Sequence, residues 1–333
     1  MLTLQSLRED KDRVIQALKK RHVDASADID RILAWDAERR QTQASLDDLL
    51  AKSNALSREI GGLMREGKKE AAEAVKGKTA ALKEQSSDLK NRMHELEASI
   101  HDLLCTIPNA PHSDVVAGKS AEDNVETARV GDIPKLHDGA VPHWELADRY
   151  KLIDFELGSK VTGAGFPFYR GKGAKLQRGL IQMFLDYADQ AGYEEFIPPF
   201  MINAESGFGT GQLPDKEGQM YHAVADDLFL IPTGEVPLTN IYRDVLVKEQ
   251  ELPIKLCGYS PCFRREAGSY GKDVRGLNRL HQFDKVEIVQ IDHPERSYAT
   301  LDTMVDHIKG LLEALELPYR ILRLCGGDMG FTS

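Results

Sequence analysis

The sequence predicts an α+β protein: a long antiparallel α-helical arm at the N-terminus, followed by a mixed domain of strands and helices. Two observations predict it. Glycine and proline divide unequally. Of 27 glycines and 14 prolines, residues 1–110 hold only Gly61, Gly62, Gly67, Gly77 and Pro108. Both residue types disfavour helix interiors, so the first third reads as helix and the remainder as turn-rich. The second observation is a pair of apolar seams with 3-4 spacing. One runs through Ile32, Trp35, Arg39, Thr42, Leu46, Leu49, Ser53, Leu56, Ile60 and Leu63. The other runs through Val75, Thr79, Leu82, Ser86, Leu89, Met93, Leu96, Ile100, Leu103 and Ile107. A chain folding back on itself would zip these seams together.

The glycine- and lysine-bearing stretch at residues 64–78 separates the seams and marks the tip. Such a hairpin has little core beyond its own seam. It serves either as a spacer or dimerisation coil, or as an RNA-binding arm. Charge does not choose between them, since residues 1–110 hold 19 Lys/Arg and 19 Asp/Glu. Lys68, Lys69, Lys76, Lys78, Lys83 and Lys90 do gather toward the tip and the returning helix, with acidic residues interleaved.

Pro108 ends the second helix, and Pro111, Pro134 and Pro142 lie in a joint with no sustained period, in which residues 143–152 suit a short helix. The expected organisation is a helical arm over 1–110 (coiled coil 31–104), a linker over 111–155 and a mixed core over 156–333. In that core, Leu176, Leu180, Ile181, Phe184, Leu185 and Ala188 predict a helix closed by Gly192. Residues 195–202 read as a strand broken by Pro198 and Pro199. Residues 229–232 read as a short strand leading into Thr233-Gly234-Glu235. There a hydroxyl and a carboxylate could hold an ammonium; the same residues also suit a helix start, with Thr233 as N-cap and Pro237 in the first turn. Residues 294–317 predict a helix and 319–324 a strand. Gly163 and Gly165 are not followed by a third glycine at the required spacing, which excludes a dinucleotide fingerprint.

Residues 260–291 carry the most chemistry. They read as two strands joined by a long glycine-bearing loop. Phe283, Lys285 and Glu287 alternate on one strand, and Arg264 and Glu266 alternate at the end of the other. Side chains two apart share a face. Between Arg264 and Lys285 lie six Lys/Arg against three Asp/Glu, in a chain of net charge −10. A basic island in an acidic protein suits an anionic ligand such as a polyphosphate; a hairpin with a solvated tip is the plainer alternative. The acidity of the whole argues against nonspecific coating of nucleic acid. The cysteines, at 105, 257, 262 and 325, form no CxxC pair and suggest neither a zinc site nor a disulfide framework. No apolar run is long enough to span a bilayer, and residues 1–16 carry no signal-peptide core. A reduced, cytoplasmic setting fits.

The stretch FRREAGSYGKDVRGLNRLHQFDKVE, residues 263–287, resembles motif 2 of the class II aminoacyl-tRNA synthetases, in the form found in bacterial-type seryl-tRNA synthetases. Residues 165–201 are similar to motif 1, TGQLP at 210–214 and Thr233-Gly234-Glu235 match the same family, and so does the N-terminal arm. The resemblance spans essentially the whole chain, with several motifs in order. It implies a mainly antiparallel sheet flanked by helices, a homodimer built on motif 1, and an arm that reaches for tRNA(Ser), with tRNA(Sec) as a further acceptor. It implies ATP and L-serine as substrates, with Mg²⁺ accompanying ATP and no metal-ligand spacing in the chain itself.

The resemblance also implies roles. Arg264 would clamp the α-phosphate, Glu266 would accept from the adenine amino group, Phe283 would stack on adenine, and Arg279 would face the phosphate end. Arg265 and Leu280 join these as ATP contacts. Thr233, Gly234, Glu235 and Glu287 would hold serine, with the division between its ammonium and hydroxyl left open. The family's motif 3, a glycine-rich strand–helix unit with an ATP-binding arginine, is not found in residues 1–333. That predicts impaired adenylation by this chain alone and leaves a second reading, a synthetase-like protein that binds nucleotide or tRNA without catalysis. A paralogue charging a carrier protein is a third, less suited to a chain with a long arm. Removing residues 31–104 from a complete enzyme is expected to abolish tRNA charging and spare adenylate formation.

Overall fold

The computed structural model describes residues 2–215, 218–266 and 275–333. The chain forms two compact units. One comprises Met1–Thr127 with Leu322–Ser333, and the other Ala128–Ile321.

The first unit is helical. Two short helices, α1 (Leu4–Glu9) and α2 (Lys11–Lys19), precede two long ones, α3 (Ser26–Arg65) and α4 (Lys69–Leu104). Thr3 and Asp10 cap the short helices by accepting the N–H of Ser6 and Arg13. At 40 residues, α3 is about 60 Å long, from a rise of about 1.5 Å per residue. α3 and α4 pair along the predicted seams: Ile32, Thr42, Leu46, Thr79, Ser86, Leu96 and Ile100 are buried. The base has its own core, in which Leu7, Val14 and Leu18 of the short helices pack with Ile29, Ile32, Ile100 and Leu104.

Two details differ from expectation. The stretch expected to separate the seams is mostly helix: α3 ends at Arg65, Gly67 takes a positive φ of 76°, and α4 resumes at Lys69. Glycine supplies that left-handed step without a Cβ penalty. The other is Asp36, a charged residue off the predicted seam. It is fully buried, with Arg8 donating to both carboxylate oxygens at 2.7 Å. Residues 322–333 lie in the same compact unit, where the buried Arg21 guanidinium donates to the carbonyls of Asn109, Met329, Gly330 and Ser333.

The second unit is mixed; besides the elements below, the chain has the strands β1 (Val125–Val130), β2 (Ile153–Asp154), β3 (Phe168–Tyr169) and β10 (Tyr319–Arg323) and the helices α6 (Phe155–Val161) and α8 (Ala204–Gly209). Its main sheet has the order β4 (Glu194–Glu195), β8 (Ile254–Phe263), β9 (Gln282–Ile291). β8 and β9 pair antiparallel over ten residues, and β4 lies parallel to β8. A second sheet has the order β5 (Met201–Ile202), β7 (Leu228–Leu230), β6 (His222–Ala223), antiparallel throughout. Helix α7 (Lys172–Gln190) covers one face of the main sheet. Ile181, Leu185 and Ala188 meet Cys257, Tyr259, Val286 and Ile288 there. Even-numbered β9 residues therefore face the helix, which leaves Phe283, Lys285 and Glu287 on the opposite face.

Helix α9 (Glu235–Asn240) follows β7, with Val236 and Leu238 buried. Helix α5 (His143–Arg149) and helix α10 (Ser297–Ala314) stand where the periodicity places them. The strand expected over 195–202 is instead two pieces in different sheets. Pro198 and Pro199 fall between them, and neither can donate to a ladder. Among the described residues no helix is long and apolar enough to cross a membrane.

Candidate active site

The free face of β9 has two ends of different chemistry. At the end near the loop, Cys262 pairs with Phe283, Phe263–Gln282 closes the ladder and β8 stops at Phe263. Arg264 and Glu266 thus lie just beyond the strand expected to carry them. Glu266 has a positive φ of 49°, a conformation that costs a residue with a Cβ and is held only by its surroundings. The Arg264 guanidinium sits 5.1 Å from the centroid of the Phe283 ring, and its Nε donates to the Pro232 carbonyl at 3.3 Å. Arg279 donates to Glu266 at 3.0 Å. Arg264, Glu266, Leu277, Asn278, Arg279, Leu280 and Phe283 line a cavity of about 370 Å³, within the range of small-molecule sites.

Arg265 is not brought to that cavity. Its guanidinium lies 5.7 Å from the Tyr221 ring centroid, and the Arg265 backbone N–H donates to the Gln219 carbonyl. Tyr221 Oη and His281 Nδ1 share a hydrogen bond at 2.6 Å, and His281 stacks on Phe166. The start of β9 is thereby tied to residues far away in sequence. Leu277 N–H donates to His143 Nε2 at 2.8 Å, which anchors the described end of the loop. Gly268, Gly271 and Lys272 of this loop lie outside the described residues.

At the other end stand Thr233, Glu235, Lys285 and Glu287. Thr233 is buried and donates to Glu287 Oε2 at 2.7 Å. Lys285 Nζ donates to Thr233 Oγ1 at 3.0 Å and lies 2.5 Å from Glu287 Oε2. The N–H of Glu235 also reaches Thr233 Oγ1, at 3.2 Å, but Thr233 is not the N-cap expected: Gly234 holds that position in α9, with no side-chain cap. Gly234 makes the approach possible. A Cβ there would stand 3.0 Å from Ser260 Oγ and 3.5 Å from Glu287 Cβ. Glu235 itself opens to solvent, but protein crowds around it. Burial and the neighbouring Glu287 push its carboxyl above the ordinary range, and Lys285 partly offsets them.

The arrangement offers an aromatic plate, cations and a carboxylate around one cavity, and a hydroxyl–carboxylate pair along the same strand face. It suits a nucleotide beside a small hydroxylated amine. Lys285 was visible as an alternate-position cation, but neither composition nor spacing pointed to its contacts with Thr233 and Glu287. Leu277 and Asn278 of the cavity wall carried no signal in the sequence. Among the described residues no group of three or more His, Cys, Asp or Glu could hold a metal ion.

Comparison with known proteins finds relatives along the whole chain. Residues 1–111 match the family described as "Seryl-tRNA synthetase N-terminal domain", and residues 221–333 match "tRNA synthetase class II core domain (G, H, P, S and T)". A serine–tRNA ligase of Salinibacter ruber is 49% identical over 332 residues, covering 100% of this chain and 78% of the relative. One of Caldanaerobacter subterraneus is 47% identical over 334 residues, with 100% and 78% covered. The crystal structure of seryl-tRNA synthetase from Pyrococcus horikoshii complexed with ATP superposes with a TM-score of 0.88 at 30% identity, covering 99% of this chain and 78% of that one.

Proposed function

The chain belongs to the seryl-tRNA synthetases, and on that premise we propose how its residues share out the work of a serine–tRNA ligase. As a member, it is an ATP-dependent ligase acting on serine and tRNA. In the first step a serine carboxylate oxygen attacks the α-phosphorus of ATP. The bond to pyrophosphate breaks, and seryl-adenylate forms. In the second, a hydroxyl of the 3′-terminal ribose of tRNA(Ser) attacks the acyl carbon and AMP leaves.

The reading is carried by one observation: the 370 Å³ cavity and the Thr233–Glu287 pair lie along one strand face, at Phe283 and Glu287. ATP occupies the cavity, with adenine on Phe283 and its amino group toward Glu266. Arg264 is held against Phe283 and Pro232 before ligand arrives. It faces the α-phosphate, where negative charge grows in the transition state, and a preorganised cation is worth most there. Arg279 turns from Glu266 to the phosphates as ATP enters. Leu280 contributes wall, and Arg265 acts from its place over Tyr221. Serine sits at Thr233, Gly234, Glu235 and Glu287. Mg²⁺ accompanies the ATP phosphates.

The same reading gives the α3–α4 arm to tRNA(Ser), with tRNA(Sec) as a second acceptor, and places the enzyme in the cytoplasm. It makes a homodimer through the region of residues 165–201, where Leu176, Ile197, Phe200 and Met201 are exposed apolar side chains in want of cover.

The test is amino-acid-dependent ATP–pyrophosphate exchange without tRNA, using serine, threonine, alanine and glycine. Exchange with serine alone supports the assignment. A preference for another amino acid overturns it, and exchange with none of them favours a protein that binds without catalysis.

A further inference from the structure

The Thr233 hydroxyl has no spare capacity. It donates to Glu287 Oε2 and accepts from both Lys285 Nζ and the Glu235 N–H. A hydroxyl has one proton and two lone pairs, so all three are in use. Lys285 also lies 2.5 Å from Glu287 Oε2. Its ammonium therefore occupies the place between hydroxyl and carboxylate that the proposed function gives to a substrate.

Only one of the three partners is built to leave. The Glu235 N–H belongs to the backbone at the start of α9. Glu287 is short-tethered to β9, opposite Gly258, and only 17% of its side chain is exposed. Lys285 is a charge on a four-carbon stem, and 34% of its side chain reaches solvent. It can swing out of the acceptors while the rest of the site stays in place.

We propose that Lys285 is a specificity-determining placeholder: its ammonium fills the substrate-ammonium position and yields it only to a ligand that brings Lys285 a new partner. The proposal rests on the serine-site reading above. An α-amino acid brings such a partner, because its carboxylate can receive the displaced lysine. One ammonium replaces another, and the ion pair lost to Glu287 is remade to the substrate. A bare amine with the same hydroxyl, such as ethanolamine, offers Lys285 nothing. It leaves two cations close together at a site where one had been neutralised. The lysine thus selects amino acids over amines before any chemistry begins.

The experiment is calorimetric binding of L-serine and ethanolamine to the wild-type chain and to Lys285→Met. Wild type is expected to favour serine by at least a hundredfold. In Lys285→Met, ethanolamine binding should tighten about tenfold as the acceptors fall vacant. Serine binding should weaken about tenfold as its carboxylate loses a partner, so the preference collapses. Lys285→Arg, which keeps a cation, should restore most of it. A purely structural lysine would move both ligands in the same direction, and that result, or an unchanged preference, overturns the proposal. Lys285→Gln serves in the same way should the methionine variant not fold. Wild type that binds neither ligand overturns the serine reading and the placeholder together. Wild type that binds serine alongside a Lys285→Met chain with intact preference overturns the placeholder alone.

Discussion

The guanidinium of Arg264 faces the ring of Phe283, 5.1 Å from its centroid. The two residues approach from different strand ends, brought together by the Cys262–Phe283 register of β8 and β9. A cation over an aromatic face is worth about 0.5–2 kcal/mol, and Phe283 also lines the cavity proposed for ATP. The two partners should fail differently. Phe283→Ala should raise the KM for ATP about tenfold and leave kcat within a few-fold, because stacking holds ground state and transition state alike. Arg264→Ala should cost roughly two to three orders of magnitude in kcat, as a group that acts on developing charge. Pyrophosphate-exchange kinetics on both variants distinguishes these outcomes, and equal effects on kcat from both would contradict the assigned roles.

Glu235 makes a pH prediction. Its folded carboxyl lies above the ordinary value, through burial first and Glu287 second. The folded chain thus holds that proton more tightly than the unfolded one, so this group's contribution to stability falls as pH rises from the ordinary carboxylate range through the raised folded value. Glu235→Gln removes the effect. The melting temperature of the variant relative to wild type should climb over that window and level off above it. Binding of a cationic ligand beside Glu235 should also lower its proton affinity. Serine titrations in buffers of differing ionisation enthalpy should then report proton release within the window and none well above it.

The large outlines were legible because they rest on local rules. The seam residues Ile32, Leu46, Leu96 and Ile100 are buried as their spacing requires, and alternation put Phe283, Lys285 and Glu287 on one face. The unseen features depend on distant partners. Arg265 stands beside Glu266 in sequence, but Tyr221 takes its side chain. The saturation of Thr233 arises from β9 and α9 converging on one hydroxyl. Asp36 stood next to the seam residue Trp35 with nothing to mark it for burial, since its partner Arg8 is 28 positions away.

Asp36 should behave as a latch at the base of the arm. Arg8 holds both its oxygens, and Arg39 and Arg40 each approach to 3.2 Å. Burial alone would raise its carboxyl, but the hydrogen bonds from Arg8 and Arg39 win and hold it below the ordinary value. A depressed folded value means stability that is present above the ordinary carboxylate range and lost as pH falls through the folded one. Asp36→Asn should remove this acid-sensitive component and lower stability at neutral pH by about 2 kcal/mol. Loss of one partner of a fully buried pair costs about 3–5 kcal/mol, and the arginines here still reach water. Denaturant melts of both chains at neutral and acid pH check the magnitude and the pH dependence together.

The structure also says where the arm can be cut. Removal of residues 31–104 would strip Ile32, Ile100 and Leu104 from the core that holds Leu7, Val14 and Leu18. Loss of activity would then report unfolding at the base as readily as loss of tRNA contact. Cross-helix ion pairs give the register: Arg92 with Glu38, and Arg39 with Glu97. Joining residue 51 to residue 83 through a short glycine turn removes matched lengths of both helices. It keeps Asp36, Leu46, Leu96 and the base core. If the outer arm serves only to hold tRNA, this shortened chain should melt within a few degrees of wild type and retain serine-dependent pyrophosphate exchange. Its tRNA charging should fall by at least a hundredfold, through the KM for tRNA. Parallel loss of exchange and charging in a chain that still folds would show that the arm is needed for adenylation itself.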